Sequence, residues 1–105
     1  MDSTLYLGKH VMASDGDAGV VDDVLMTEDG TPLRLVVRDR GVFGGDVVLP
    51  FDHTTIEGSV VRVALTRAQV HAGEPYDPTR HGESAGLFSV AAAKYDAADE
   101  PPGTA

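Results

Sequence analysis

The residues best suited to chemistry are aspartates, and their densest group is ASDGDAGVVDD at residues 13–23. Such a group suggests calcium, because an EF-hand loop places oxygen ligands at positions 1, 3 and 5, glycine at 6 and a bidentate glutamate at 12. Counted from Asp15, positions 5, 6 and 12 are Gly19, Val20 and Met26. The pattern fails at all three. We therefore predict a turn and an acidic strand here, and no metal site.

The other candidate groups also lack the spacing that catalysis needs. The four histidines do not have the helical i, i+4 spacing of a zinc site, and the chain has no cysteine to act as a ligand or nucleophile. Asp52 and His53 are adjacent, but neighbours on a strand point to opposite faces. No G-x-S-x-G elbow is present, and GVFGG at residues 41–45 lacks phosphate-loop spacing. We expect no enzyme and no cofactor.

The composition limits the partners and the compartment. Seventeen acidic and eight basic residues give a formal charge of −9, which repels the phosphate backbone of nucleic acid. A high-salt habitat or a GC-rich genome would each produce this aspartate-rich chain. There is no signal-peptide pattern and no apolar run long enough to span a membrane. We expect a cytoplasmic protein without direct contact to nucleic acid.

Elements that would position these residues are short strands. Over residues 5 to about 70, apolar runs alternate with turn residues every eight to twelve positions, which is typical of a small all-β fold. Asp15-Gly16 and Asp29-Gly30 predict tight turns, and Pro50 predicts the end of a strand or an edge. In LRLVVRDR, alternation places Leu33, Leu35 and Val37 on a core face, and Arg34, Val36 and Arg38 on a solvent face.

Two surface features of this β region are candidates for binding a partner. Arg34, Arg38 and Arg62 would form a small basic strip if they share the outer face, although pairing with nearby acids is the favoured prediction. If they are unpaired, the strip is where an acidic partner would dock. Phe43 lies among three glycines and is expected at an exposed loop tip.

The chain beyond residue 72 has a different composition. HAGEPYDPTRHGESAG carries two prolines and three glycines with almost no aliphatic residue, so residues 73–105 are predicted as a linker, a short helix at 84–97 and a disordered tail. Ser84 would cap the helix, and Leu87, Phe88 and Tyr95 would share its apolar face. That face would pack on the barrel, on a twin subunit or on a partner.

Several short motifs together resemble the PRC-barrel family over about residues 5–70. They are Gly8-Lys9-x-Val11, the Asp15-Gly16 turn, a G-x-V-x-D element at Gly19, Val21 and Asp23, and LPF at residues 49–51. The resemblance implies a small β-barrel of five to six strands, spanning residues 1–72. It also implies a non-enzymatic role, because the family supplies no catalytic residues. The reaction-centre member of the family has a membrane anchor, and the ribosome-maturation member has an extra N-terminal domain. Neither is predicted from this sequence, so neither specific role is expected here.

These observations favour a protein–protein interaction module, acting as a scaffold or adaptor for unknown partners. A homodimer is expected through exposed strand edges or the C-terminal helix, because a barrel of about 65 residues has a marginal core. The alternative is a regulator that binds a small ligand or a metal, based on the Asp15 to Asp23 cluster and the histidines. An enzyme ranks third.

Overall fold

The computed structural model describes residues 3–39, 45–52, 54–77 and 79–92. These contain eight strands: β1 (His10–Ala13), β2 (Gly16–Met26), β3 (Pro32–Asp39), β4 (Gly45–Pro50), β5 (Thr54–Glu57), β6 (Val60–Val63), β7 (Glu74–Pro75) and β8 (Phe88–Ser89). The described residues also contain a helix, α1 (Arg67–His71), two 3-10 turns (Ser3–Tyr6 and Glu83–Ala85) and a helical stretch at residues 90–92. The all-β prediction is confirmed. Eight strands replace the expected five or six, because β7 and β8 lie in the segment predicted as a linker and helix.

The strands form one sheet in the order β5-β6-β1-β2-β3-β4-β7, and β8 pairs with β2 off this path. All neighbours are antiparallel except β1 and β6. One face of every strand from β1 to β6 contributes to a single core, so the sheet is strongly bent. Within the described ranges its two end strands, β5 and β7, do not pair with each other, and the sheet is not closed.

The Asp15 turn reverses the chain between β1 and β2 and also binds the first residue of α1. Its carboxylate accepts a hydrogen bond from the backbone N–H of Arg67 (2.7 Å), at the first residue of α1. Thr66 caps the same helix with its side chain, which accepts from the backbone of Gln69. The turn therefore attaches α1 to the sheet. At the second turn, Gly30 has φ +88° and closes on Thr27.

The conformation of Gly19 is set by the close approach of β2 to β3. Its φ is +142°, and a Cβ built there would lie 2.3 Å from the carbonyl oxygen of Arg38. No side chain fits at that distance. Glycine at this position lets the two strands cross closely, so that Val21 and Val37 meet inside the core.

A β-bulge at Asp22 changes the faces of β2. Val21 pairs with Val37 and Asp23 pairs with Val36, so Asp22 has no partner across the ladder. A bulge shifts the alternation by one residue and redirects the side chains that follow. Val24 consequently joins the inner core, while Asp23 and its neighbours across the ladder face outward.

The outer face carries a second core of four buried residues, Leu25, Val36, Val48 and Leu87, with Tyr76 packed against it. Val36 was expected to face solvent and is instead 1% exposed. The expectation is wrong because residues 74–77 and 79–92, called the strap here, cross this face.

The strap is attached at both ends by short strands. β7 pairs with β4, and β8 pairs with Leu25 and Met26 of β2. The predicted helix over 84–97 does not form as one element, because Gly86 ends the 3-10 turn in a left-handed conformation and β8 then extends. Residues 90–92 are helical, beginning directly after Ser89. The predicted tail lies outside the described residues. Of the described helices, none has the length and apolarity to cross a membrane.

Candidate functional site

The aspartates at residues 15–23 do not converge on one point. Each has its own partners: Asp15 bonds to Arg67, Asp17 to His10 and Gly19, Asp22 to Arg38, and Asp23 to Val24, Ser89 and Ala91. In the described parts of the chain, no three His, Asp or Glu side chains lie close enough together to hold a metal ion. This cluster therefore organises the fold locally.

Asp23 is the buried member of the group, and it fastens the strap to the sheet. One carboxylate oxygen accepts from the backbone N–H of Ala91 (2.9 Å) and from that of Val24 (2.8 Å). The other accepts from the hydroxyl of Ser89, which in turn accepts from the N–H of Ala92 (2.9 Å). Ser89 thus acts as an N-cap, and the Asp23 carboxylate lies where a helix start favours negative charge.

His81 holds the middle of the strap to the beginning of the strap. Its ring is buried and stacks on Tyr76, with centroids 5.8 Å apart and planes 20° apart. Nε2 lies 3.4 Å from a carboxylate oxygen of Glu74, and Nδ1 lies 3.0 Å from the backbone nitrogen of Asp77. Glu74 also pairs with Arg80 at 2.9 Å. These contacts hold His81 against Tyr76, which packs on the second core.

The electrostatic environment of this face is negative. Burial, followed by a hydrogen bond with Asp22, raises the pKa of Asp46 to about 6. Burial is also the main cause of a raised pKa at Tyr76, with further contributions from the charges of Asp23, Asp46 and other aspartates nearby. Arg38 offsets part of this charge, because it contacts Asp22 at 2.9 Å and Asp46 at 3.8 Å.

A cleft of about 480 Å³ opens between the end of β2 and the strap, and is called the strap cleft here. Its lining comprises Leu25, Met26, Thr27 and Glu28 from β2 and the turn after it, and Tyr76, His81, Gly82, Glu83, Leu87, Phe88, Ser89 and Ala92 from the strap. Leu25 and Leu87 are buried, whereas Glu28 and Glu83 are exposed. The cleft therefore has an apolar interior and carboxylates at its rim.

The structure does not bring the three predicted arginines into one strip. Arg34 and Arg38 share β3, but Arg62 lies on β6, separated from β3 by β1 and β2. Arg38 pairs with aspartates, and Arg62 pairs with Glu57 at 2.6 Å. Arg34 donates to the carbonyl of Leu33. Within the described ranges, the pairing favoured from the sequence is thus found for Arg38 and Arg62.

The predicted apolar partner-binding residues also separate. Leu87 is buried in the second core, and Phe88 lines the strap cleft half-buried. Phe43 and Tyr95 lie outside the described residues. Sequence reasoning missed the roles of Tyr76 and His81, because each is a single aromatic residue in a segment rich in glycine and proline. Asp23 was noted only as part of the G-x-V-x-D element.

A strongly bent, mostly antiparallel sheet that is open within the described residues, with short connections and one added strap, defines a small all-β domain. A family model for the PRC-barrel domain matches residues 3–70, which is well over half of the chain. The chain belongs to the PRC-barrel family. No curated protein sequence matches it. The strap lies beyond the matched residues.

Proposed function

We propose that this chain is a non-enzymatic protein–protein interaction module, a scaffold or adaptor, that self-associates as a homodimer through the edge of β5. The observation that carries the proposal is the open sheet, in which β5 pairs only with β6 among the described strands. An unpaired edge presents backbone N–H and C=O groups that another strand can bind.

The two edges of the sheet differ in how well they are protected. β7 has two residues, and Pro75 has no N–H to donate, so it is a poor template for another strand. β5 has four residues, Thr54–Glu57, without proline. Two copies of β5 can pair antiparallel across a two-fold axis, which gives a closed dimer instead of a chain of copies.

The modest size of the core gives a physical reason for dimerisation. A domain of this length buries a modest apolar core, and covering an open edge adds both hydrogen bonds and apolar contact. Ile56 on β5 is half-buried and packs against the edge of the inner core. Pairing of two edges would cover this position further.

The test is light scattering at micromolar concentration on the full chain and two matched variants. Thr55→Glu places a new carboxylate on the exposed side of β5, opposite Arg62, where the fold tolerates it but two copies repel each other. Thr79→Glu adds the same charge on the exposed surface of the strap. We expect a dimer for the unaltered chain and for Thr79→Glu, and a monomer for Thr55→Glu.

A monomeric unaltered chain would overturn the dimer. Equal dissociation of both variants would overturn the assignment to β5, because net charge alone would then explain the effect. Circular dichroism on all three chains separates dissociation from unfolding.

A further inference from the structure

The strap cleft combines apolar walls with one sign of charge. Met26, Tyr76 and Phe88 are half-buried along it and present apolar or aromatic surface. Glu28 and Glu83 stand at the rim, and none of the lining residues in the described part of the chain is lysine or arginine. An apolar cleft with acidic groups at its mouth is complementary to a ligand that carries a positive charge on an apolar body.

Aspartates behind the walls of the cleft add to the negative charge of its rim. Tyr76 lies in the field of Asp22, Asp23, Asp46 and Asp77. The arginines in this region are already engaged, since Arg38 contacts Asp22 and Asp46, and Arg80 contacts Glu74. A cation entering the cleft would meet an excess of carboxylates.

Tyr76 and Phe88 also contribute aromatic surface to the lining. An ammonium group is attracted to the face of an aromatic ring, and the attraction is stronger when the pair is desolvated. The Tyr76 ring is held in place by its stack on His81, and its position is therefore fixed before a ligand binds. A preformed surface of this kind lowers the entropic cost of binding.

We propose that the strap cleft binds a small organic cation, an amine carried on an apolar body the size of one aromatic ring. The cleft, at about 480 Å³, falls in the range typical of small-molecule sites, about 300–1,000 Å³. Because β2 and the strap both line it, such a ligand would hold the two together. This site is independent of the β5 edge.

The experiment is an NMR titration of the full chain with three probes that share one apolar body. Phenethylamine is cationic, phenethyl alcohol is neutral and hydrocinnamate is anionic at neutral pH. We expect saturable shift changes at Met26, Tyr76 and Phe88 with phenethylamine, and much smaller changes with the other two. No binding of phenethylamine, or equal binding of all three probes, would overturn the proposal.

Two further variants test whether the rim provides the charge selectivity. In the double variant Glu28→Gln and Glu83→Gln, we expect phenethylamine to bind roughly three- to tenfold more weakly, as exposed charge pairs contribute modestly. Asp52→Asn, an exposed carboxylate outside the cleft, should bind like the unaltered chain. An unchanged affinity in the double variant, or the same loss in Asp52→Asn, would contradict a role for the rim.

Discussion

Replacement of Asp23 by alanine should loosen the strap around residues 89–92 while leaving the sheet folded. Asp23 accepts two hydrogen bonds from the strap, one from the Ser89 hydroxyl and one from the Ala91 N–H. Hydrogen bonds to a charged group contribute about 1.5–3 kcal/mol each, and losing both, with water replacing them as the strap opens, should cost about 2–4 kcal/mol. Since about 1.4 kcal/mol corresponds to a factor of ten, amide exchange in the strap should accelerate by roughly 30- to 1,000-fold.

Hydrogen exchange resolved by residue is the assay. In Asp23→Ala, the amides of Ala91 and Ala92 should lose protection, whereas that of Val37 in the inner core should change much less. Asp17→Ala is the matched control, because Asp17 also accepts from a backbone amide but does not touch the strap. Unchanged protection at Ala91 in Asp23→Ala would refute the attachment, as would an equal loss in Asp17→Ala.

Two other predictions concern stability. Gly19→Ala should lower the free energy of unfolding in denaturant by about 3–5 kcal/mol, because its Cβ would clash with a backbone carbonyl. Gly30→Ala has a positive φ but open space around the Cβ, so it should cost only about 1–2 kcal/mol. Equal losses in the two variants would contradict this. The raised pKa of Asp46, about 6 against an ordinary 3.8, means that the folded chain holds an extra proton between these values and loses stability as pH rises through them. Asp46→Asn keeps a neutral partner for Asp22, so its Tm should exceed that of the unaltered chain at pH 7, with the difference shrinking toward pH 4; a constant difference would contradict this.

The sequence predicts those structural features that depend on residues close together along the chain. Alternation of apolar residues and the Asp-Gly pairs predict the all-β class, and both pairs lie at turns in the structure. Pro50 ends β4. These features depend on φ preferences and on side-chain period within a few residues. A single sequence carries that information.

The strap could not be predicted in the same way, because its attachment depends on contacts between residues far apart in the sequence. It is held by two-residue strands, by burial of Leu87 and Val90 in the two cores, and by hydrogen bonds between residues 66 and 68 positions apart. Its composition, rich in glycine, proline and charge, is that of a linker. The helical spacing of Leu87, Phe88 and Ala91 favoured one helix, yet pairing of Phe88 with Met26 on the free part of β2 extends the backbone there.

The bulge at Asp22 determines which side chains of β2 enter the inner core and which face the strap. Without it, strict alternation along β2 would place Asp23 and Leu25 on the same side as Val21, so a carboxylate would be buried in the inner core and Val24 would face outward. The extra residue reverses this, giving Val24 to the inner core and Asp23 and Leu25 to the strap. β1 pairs with β2 only as far as Val20, so the edge of β2 that does not face β3 can pair with β8 beyond that residue. One strand thereby serves both cores, and any partner or ligand that displaces or holds the strap acts on the sheet through β2.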